Sequence, residues 1–160
     1  MHPRELLQRE LRGSFEFFRD FTNLETGSPG FGLSVDNSNE PEVASIASVG
    51  FALTAWVIAA ARGYLSRAEA AAITRGTLET LLHRVSHHRG FFAHFVDMAN
   101  GQRLGQCEYS TIDTALCLNG VITAAAFFQE AGIDVLARQL LDRVEWRFIV
   151  FEKADRTLFR

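Results

Sequence analysis

The sequence contains little cysteine, tryptophan, tyrosine or proline. Of its 160 residues, two are cysteine, two tryptophan, two tyrosine and three proline. Cys107 and Cys117 are separated by a spacing that matches no metal-binding or redox motif. A disulfide is disfavoured if both flank one helix, because about ten helical residues span roughly 15 Å. We therefore expect two free thiols, with that of Cys117 buried.

The sequence also lacks a basic stripe interleaved with aromatic residues. Its formal net charge is −3, so the positive surface needed to neutralise phosphates is missing and nucleic acid is disfavoured as a partner. Hydrophobic residues make up 48% of the chain and charged residues 22%, which is ordinary for a soluble globular protein. The length suits a single domain over residues 1–160 with a real core.

No signal peptide is recognisable, because the first residues lack an apolar segment. The sequence as it stands predicts a cytoplasmic protein, or a periplasmic one if a longer parent is exported. The charge-free stretch 43–61 imitates a membrane span, but it contains Ser45 and Gly50 and is followed at once by Arg62. A helix buried on all sides explains this pattern, and we expect no membrane span.

Phenylalanine is the one aromatic residue in excess, with 14 copies. Many of these residues lie where helices should meet, so we expect them to pack in the core. A platform for carbohydrate would more often show tryptophan or tyrosine, whose polar edges can face water.

Hydrophobic periodicity predicts five helices. The first, third and fifth are amphipathic, whereas the second and fourth are apolar nearly all round. Gly63 is a natural stop for the second helix and Gly132 for the fourth, and Ser66 with Glu69 forms a capping box that opens the third. The approximate ranges are 3–23, 45–62, 66–85, 110–130 and 134–148.

Two irregular segments separate these helices. Residues 27–41 form a loop rich in glycine, proline, asparagine and serine. Residues 90–97 alternate like a strand, and 98–101 resemble a turn that ends in Asn-Gly, so we expect a short hairpin-like insertion near 90–105. The alternation of apolar and amphipathic helices predicts an all-α fold with inner helices walled in by outer ones.

Two carboxylates flank the start of the fourth helix. Ser110 and Asp113 fit a capping box in which Asp113 reaches back to the helix start, so Asp113 is either a cap or a chemical group. Glu108 has no such local duty. The helix N-terminus would lower the pKa of Glu108, whereas burial beside Tyr109 would raise it, as a general acid requires. The sequence leaves both possibilities open.

Other polar residues are weaker candidates. His94 lies among aromatic residues and is either a hydrogen-bonded structural histidine or a ligand or base. Asp36 and Asp97 are loop carboxylates that suit either a turn or a sugar hydroxyl. Ser45 is predicted to be a helix cap, because no Gly-x-Ser-x-Gly nucleophile motif surrounds it. No histidine–glutamate spacing indicates a metal site, and we predict neither a metal nor another cofactor.

Four segments occur in a specific order: ASIASVGFALTA at 44–55, RGYLSRAEA at 62–70, GFFAHFVD at 90–97 and EYSTIDTAL at 108–116. Together they resemble the glucoamylase-like family of bacterial proteins. That family includes endo-β-1,2-glucanases and is related to a domain of cyclic β-1,2-glucan synthases. The resemblance spans residues 15–146. It implies a partial (α/α)6 toroid, in which six helical hairpins surround a central cleft and this chain supplies the N-terminal portion.

The resemblance also implies a ligand and a site. The ligand is a β-glucan, and the segment that starts at Glu108 lines the cleft. By resemblance, the catalytic candidates are Glu108 and Asp113, and the substrate-binding candidates are His94, Asp97, Asp36 and Ser45.

The chain departs from the family in length. Five predicted helices are fewer than half of those in six hairpins, and a glycosidase needs two carboxyl groups across the scissile bond. The inner helices should therefore expose an apolar edge, which predicts a homo-oligomer or a complementing chain.

Three interpretations remain open. The chain is a glycoside hydrolase relative acting on β-1,2-glucan, with Glu108 as general acid or base. Alternatively, it is a non-catalytic truncated homologue that binds glucan or oligomerises. In the third interpretation it is a structural helical protein whose acidic residues are caps.

Overall fold

The computed structural model describes residues 2–153 and 156–159, with side chains up to residue 151. The chain is all-α, as predicted, with helices α1 Pro3–Asp20, α2 Ile46–Arg62, α3 Arg67–His83, α4 Thr111–Phe128 and α5 Ala131–Asp142. Short strands connect them: β1 Val43–Ser45, β2 His87–His88, β3 Phe91–Phe92, β4 Phe95–Asp97, β5 Val150–Lys153 and β6 Arg156–Phe159. The predicted domain, 1–160, also includes residues 1, 154, 155 and 160, which lie outside the described residues.

Several helix ends follow from local sequence. The hydroxyl of Ser66 accepts from the backbone N–H of Glu69 at 3.2 Å, and the Glu69 carboxylate accepts from the backbone N–H of Ser66 at 3.0 Å. This reciprocal pair is the predicted capping box at the start of α3. Gly63 ends α2 with a left-handed φ of 70°, a conformation that glycine adopts without a steric penalty.

The predicted boundary between α4 and α5 is wrong. Helix α4 ends at Phe128 and is capped by Gln129, which takes the left-handed conformation with φ 53°, and Gly132 lies in the first turn of α5. Helix α5 ends at Asp142, and a short 3-10 helix follows at Trp146–Ile149. Gly132 is therefore no terminator, because a glutamine already provides the left-handed residue that closes α4.

Helices α2 and α4 form the centre of the molecule, and they touch through glycine. A Cβ atom on Gly120 would lie 2.2 Å from the carbonyl oxygen of Gly50, and one on Gly50 would lie 2.6 Å from the Cα atom of Cys117. Neither position accommodates a larger residue, because backbone fills the space. The two helices are thus held at fixed axial positions.

Two arginines link helices through carbonyl groups at helix C-termini, one between α5 and α3 and one between α3 and the central helix α4. Arg143 donates to the carbonyl oxygens of Leu81 at 3.2 Å and Leu82 at 3.0 Å, which belong to the last turn of α3. Arg67 donates to the carbonyl oxygen of Phe128 at 2.8 Å, in the last turn of α4. Cationic groups at helix C-termini satisfy exposed carbonyls and oppose the helix dipole.

The predicted hairpin-like insertion is confirmed, and it has an additional partner. The backbone N–H of Asp97 donates to the carbonyl oxygen of Gln102 at 2.8 Å, across the predicted turn. Strand β4, however, also pairs with β1, with Ser45 opposite Phe95. Because Ser45 directly precedes α2, this pairing fixes the insertion at the start of the central helix pair.

Helices α2 and α4 are not buried on all sides, because the other described helices cover only part of their surface. Phe51 is 53% exposed, Ile112 65% and Ile122 49%, so the apolar edge predicted from the missing neighbours is present. Helix α4 is long and apolar enough to cross a membrane by length and composition, although 44% of it is buried. Core helices of soluble proteins pass the same test, so this is weak evidence for a span.

Candidate functional site

The candidate site lies where the chain runs into α4. Residues 107–110 run antiparallel to the segment after β3. The backbone N–H of His94 donates to the carbonyl oxygen of Glu108 at 2.9 Å, and that of Ser110 donates to Phe92 at 2.9 Å. These bonds place His94 opposite Glu108 at the N-terminus of α4.

The side chains of His94, Glu108 and Asp113 form one polar cluster. Nδ1 of His94 lies 2.9 Å from Oε1 of Glu108, and Nε2 lies 3.8 Å from Oδ2 of Asp113. The imidazole also stacks on the ring of Phe95, with centroids 3.8 Å apart and planes 16° apart. One imidazole thus faces two carboxylates, and its orientation is set from three sides.

The two carboxylates differ in environment. The side chain of Glu108 is 65% exposed, whereas that of Asp113 is 11% exposed. A hydrogen bond from the backbone N–H of Glu108 itself, and then the bond to His94, hold the pKa of the Glu108 carboxyl below its ordinary value of 4.5. The pKa is therefore lowered, not raised. Glu108 is ionised near neutral pH and accepts hydrogen bonds; it is poorly suited to donating a proton.

The capping box predicted for Asp113 is not formed. The hydroxyl of Ser110 does accept from the backbone N–H of Asp113 at 3.2 Å, so Ser110 caps α4. The backbone N–H of Ser110, however, donates to Phe92, and the Asp113 carboxylate does not reach back to it. Asp113 instead faces His94 from a buried position.

Ser45 adjoins this cluster only through its backbone. It stands at the N-cap position of α2, but its side chain makes no capping hydrogen bond, so the predicted capping role is wrong. The residue is 2% exposed. The next residue, Ile46, donates its backbone N–H to the carbonyl oxygen of His94 at 3.2 Å. Ile46 therefore helps to position His94, and Ser45 is too buried to meet a ligand directly.

Asp36 and Asp97 lie away from the cluster, at the far end of the β1–β4 ladder. Asp97 pairs with Val43, whereas Phe95, which follows His94, pairs with Ser45 at the other end of the ladder. The two ends are two residues apart, roughly 7 Å along the strand. The carboxylate of Asp97 accepts from the backbone N–H of Ala99 at 2.9 Å, as in a turn. Asp36 is exposed and donates its backbone N–H to Val43 at 3.1 Å. The structure therefore brings together three of the six predicted site residues.

The cluster is wider than a transition-metal site. One ligand atom from each of His94, Glu108 and Asp113 lies within 4.8 Å of the others. Two ligands of one zinc ion lie at most about 4.4 Å apart, since each bond is about 2.0–2.2 Å long. The limit of 4.8 Å is close to this spacing, so small side-chain movements would let the three groups hold a cation.

Arg103 and Thr114 support the site and were not predicted from sequence. Nε of Arg103 donates to the carbonyl oxygen of Cys107 at 2.6 Å, and its positive charge also lowers the pKa of Glu108. The hydroxyl of Thr114 accepts from the backbone N–H of Phe92 at 2.9 Å. A single arginine in a loop and a single threonine in a helix form no periodic pattern, so nothing in the sequence marks either residue as part of the site.

Solved structures show which class of fold this is. A Bacteroides uniformis protein provisionally called a glucoamylase matches with a TM-score of 0.81 and 21% identity, over 93% of this chain and 38% of its own. An endo-β-1,2-glucanase from Chitinophaga pinensis, solved with sophorotriose and glucose, matches with a TM-score of 0.77 and 17% identity, over 93% and 38%. A β-1,2-glucanase from Parabacteroides distasonis matches with a TM-score of 0.77 and 19% identity, over 93% and 22%.

No protein-family model and no curated protein matches the sequence. At identities of 17–21%, the structural likeness shows the fold, and that fold is part of a glucoamylase-like domain, as the sequence resemblance indicates. The chain spans 38% of the length of the first two solved relatives and 22% of the third. The complete toroid stays a prediction.

Proposed function

We propose that this chain forms one wall of a cleft that binds β-1,2-glucan in a glycoside-hydrolase-like protein. The observation that carries the proposal is the exposed carboxylate of Glu108, held 2.9 Å from His94, in a fold shared with an endo-β-1,2-glucanase. An ionised carboxylate only accepts hydrogen bonds, so it suits sugar hydroxyls or an attacking water.

The three side chains of the cluster have different roles in this proposal. Glu108 meets the ligand because it is the exposed member of the cluster, and it acts as an acceptor or base. His94 is a positioning residue: with Glu108 ionised, Nδ1 of His94 carries the shared proton and aims the carboxylate. Asp113 faces the other ring nitrogen from a buried position and helps to fix the ring.

Glu108 and Asp113 lie on the same side of the candidate site, unlike the two members of a complete glycosidase pair. Their nearest ligand oxygens lie within 4.8 Å of each other. Paired carboxyl groups stand about 5–5.5 Å apart in retaining enzymes and about 6.5–9.5 Å apart in inverting enzymes, on opposite sides of the scissile bond. Both carboxylates here face a single imidazole. The general acid is therefore expected from a wall that this chain does not contain.

The test is ligand binding by isothermal titration calorimetry, with linear β-1,2-gluco-oligosaccharides. Glu108→Gln keeps the shape of the side chain and removes its charge. Loss of a charge-assisted hydrogen bond should weaken binding about 10- to 100-fold. Glu79→Gln, at an exposed position on the outer helix α3, is the matched control and should bind like wild type. Equal affinity in Glu108→Gln and wild type would remove Glu108 from the site.

Hydrolysis is measured in the same samples by reducing-sugar release. Binding without release is the expected result for the chain alone, because one wall provides one side of the carboxyl pair. Release that is abolished in Glu108→Gln would show that the chain supplies both groups itself, which would contradict the single-wall account.

The apolar edge supports a second proposal, a partner that covers α2 and α4. Phe51, Ile112 and Ile122 are each about half exposed or more, and exposed apolar surface on adjacent helices usually marks an interface. We expect wild type to be oligomeric by light scattering and Ile122→Glu to be monomeric. Ala72→Glu, at an exposed position on the outer helix α3, is the control and should leave the assembly intact. A wild-type monomer that binds no hydrophobic dye would rule out the interface.

A further inference from the structure

A second surface with exposed aromatic rings lies beside the segment that follows α5. It is an open groove of about 550 Å³, lined by Arg89, Val144, Glu145, Trp146, Arg147 and Phe148. Trp146 is 45% exposed and Phe148 is 38% exposed. The groove has the size range of small-molecule sites, and none of its lining residues belongs to the cluster around His94.

The groove is held in shape by the turn between β2 and β3. Arg89 takes a positive φ of 52°, a strained conformation for a residue with a side chain. Nη1 of Arg89 lies 2.6 Å from Oε2 of Glu145, and the backbone N–H of Glu145 donates to the carbonyl oxygen of Arg89 at 3.0 Å. A Cβ atom on Gly90 would lie 2.5 Å from the carbonyl oxygen of Arg143. The turn therefore packs closely against the groove and cannot shift towards it without a steric clash, so the groove is preformed.

Aromatic rings connect the groove to the candidate site. The ring of His88 lies 5.4 Å from that of Phe148 and 5.7 Å from that of Tyr109. Tyr109 directly follows Glu108 in the chain. We call the rings of Tyr109, His88, Phe148 and Trp146 the aromatic strip.

Trp146 is fixed at the far end of the aromatic strip. Its ring meets the buried ring of Phe91 edge-on, with centroids 5.5 Å apart and planes at 90°. This support holds the indole in place while nearly half of the residue stays exposed to solvent. An exposed tryptophan with a rigid support loses little entropy when a ligand stacks on it.

The chemistry of the groove suits a neutral polyhydroxylated ligand. Arginine groups already lie over the rings of Phe148 and Tyr109, so the exposed indole of Trp146 is the ring best placed to attract the C–H face of a sugar. Its N–H can also donate to a hydroxyl. Arg89 pairs with Glu145, and Arg147 adds a positive charge and further donors for hydroxyls at the same groove. We propose that the aromatic strip is an extended subsite for a gluco-oligosaccharide whose other end lies at Glu108. This inference rests on the proposed function for the identity of the sugar.

The two tryptophans of the chain allow a direct test. Trp56 is fully buried, whereas Trp146 is 45% exposed, so acrylamide quenches the fluorescence of Trp146 selectively. A linear β-1,2-glucopentaose should protect Trp146 from acrylamide, and the disaccharide sophorose should not. Trp146→Phe removes the quenchable emission and confirms the assignment.

A matched pair of variants measures the contribution of the ring. Trp146→Ala should weaken pentasaccharide binding about fivefold in calorimetry, the size expected for one aromatic contact. Affinity for sophorose should stay unchanged. Trp146→Phe keeps a ring and should retain most of the affinity. Circular dichroism shows whether each variant is folded.

The outcomes separate this inference from the proposed function. Pentasaccharide binding without protection of Trp146 overturns the subsite and leaves the role of Glu108 intact. Protection by β-1,3- or β-1,4-linked pentasaccharides, but not by the β-1,2-linked one, supports the subsite and overturns the proposed substrate. Absence of protection by all three overturns the subsite.

Discussion

The middle and the beginning of α4 contrast sharply, although they belong to one helix. In the middle, Gly120 meets the backbone of Gly50 with no room for a methyl group. At the beginning, Asp113 in the first turn faces His94, and Glu108 is exposed in the segment just before the helix. The middle of the helix packs closely against backbone, whereas its beginning carries charged side chains, one of which is exposed to solvent. The glycine crossing fixes α4 against α2, Ser110 caps its first turn, and together they determine where the acidic cluster lies.

The largest expected effect comes from filling the crossing. Gly120→Ala places a Cβ atom 2.2 Å from the carbonyl oxygen of Gly50, which the helices can relieve only by moving apart. We expect the free energy of unfolding to fall by about 3 kcal/mol. The measurement is chemical denaturation followed by circular dichroism.

Gly13→Ala is the control for that prediction. Gly13 lies within α1, and a Cβ atom there would meet nothing within 4 Å. The same substitution should therefore stabilise the protein by about 0.5–1 kcal/mol, because alanine favours the helix. Similar losses at both positions would show that the crossing is not closely packed.

Removing a helix cap should lower the free energy of unfolding less than filling the crossing does. Its effect on glucan binding should depend on which helix loses its cap. Ser110→Ala and Ser66→Ala each delete a hydroxyl that caps a helix, α4 and α3 respectively. Each should lower the free energy of unfolding by about 1 kcal/mol. Only Ser110→Ala should also weaken glucan binding, because only Ser110 precedes the acidic cluster. If both variants bind glucan like wild type, α4 does not need its cap to position the site.

The smallest expected effect is a shift in pH dependence. The pKa of Glu108 is lowered from 4.5, so its contribution to stability and binding is fully present above the ordinary value and is lost as the pH falls through the lowered one. Glucan binding should therefore persist at pH 4.5 and decline below it. In His94→Gln, which lacks the imidazole, the midpoint should move up towards 4.5. A midpoint above 4.5 in wild type would contradict an ionised, stabilised Glu108.

Features set by neighbouring residues were predictable from sequence. Gly63 and Ser66 mark helix ends through local geometry, and the apolar runs identify the two central helices. Gln129 was missed because a left-handed glutamine has no distinctive pattern.

Features set by long-range contacts were predicted less well. Glu108 was found because it stands beside a helix start. Its partner His94 is fourteen positions earlier in the chain, and nothing local indicates that they meet. The pairing of β1 with β4 was missed for the same reason, since it joins Val43–Ser45 to a distant segment.

The most direct test of the central claim is a double-mutant cycle on glucan binding. Affinity for β-1,2-glucopentaose is measured in wild type, His94→Gln, Glu108→Gln and the double variant. If His94 acts by positioning Glu108, the double variant should bind no more weakly than Glu108→Gln, so the losses from the two substitutions should not add. Independent, additive losses from the two substitutions would contradict the account, as would an affinity that none of the variants changes.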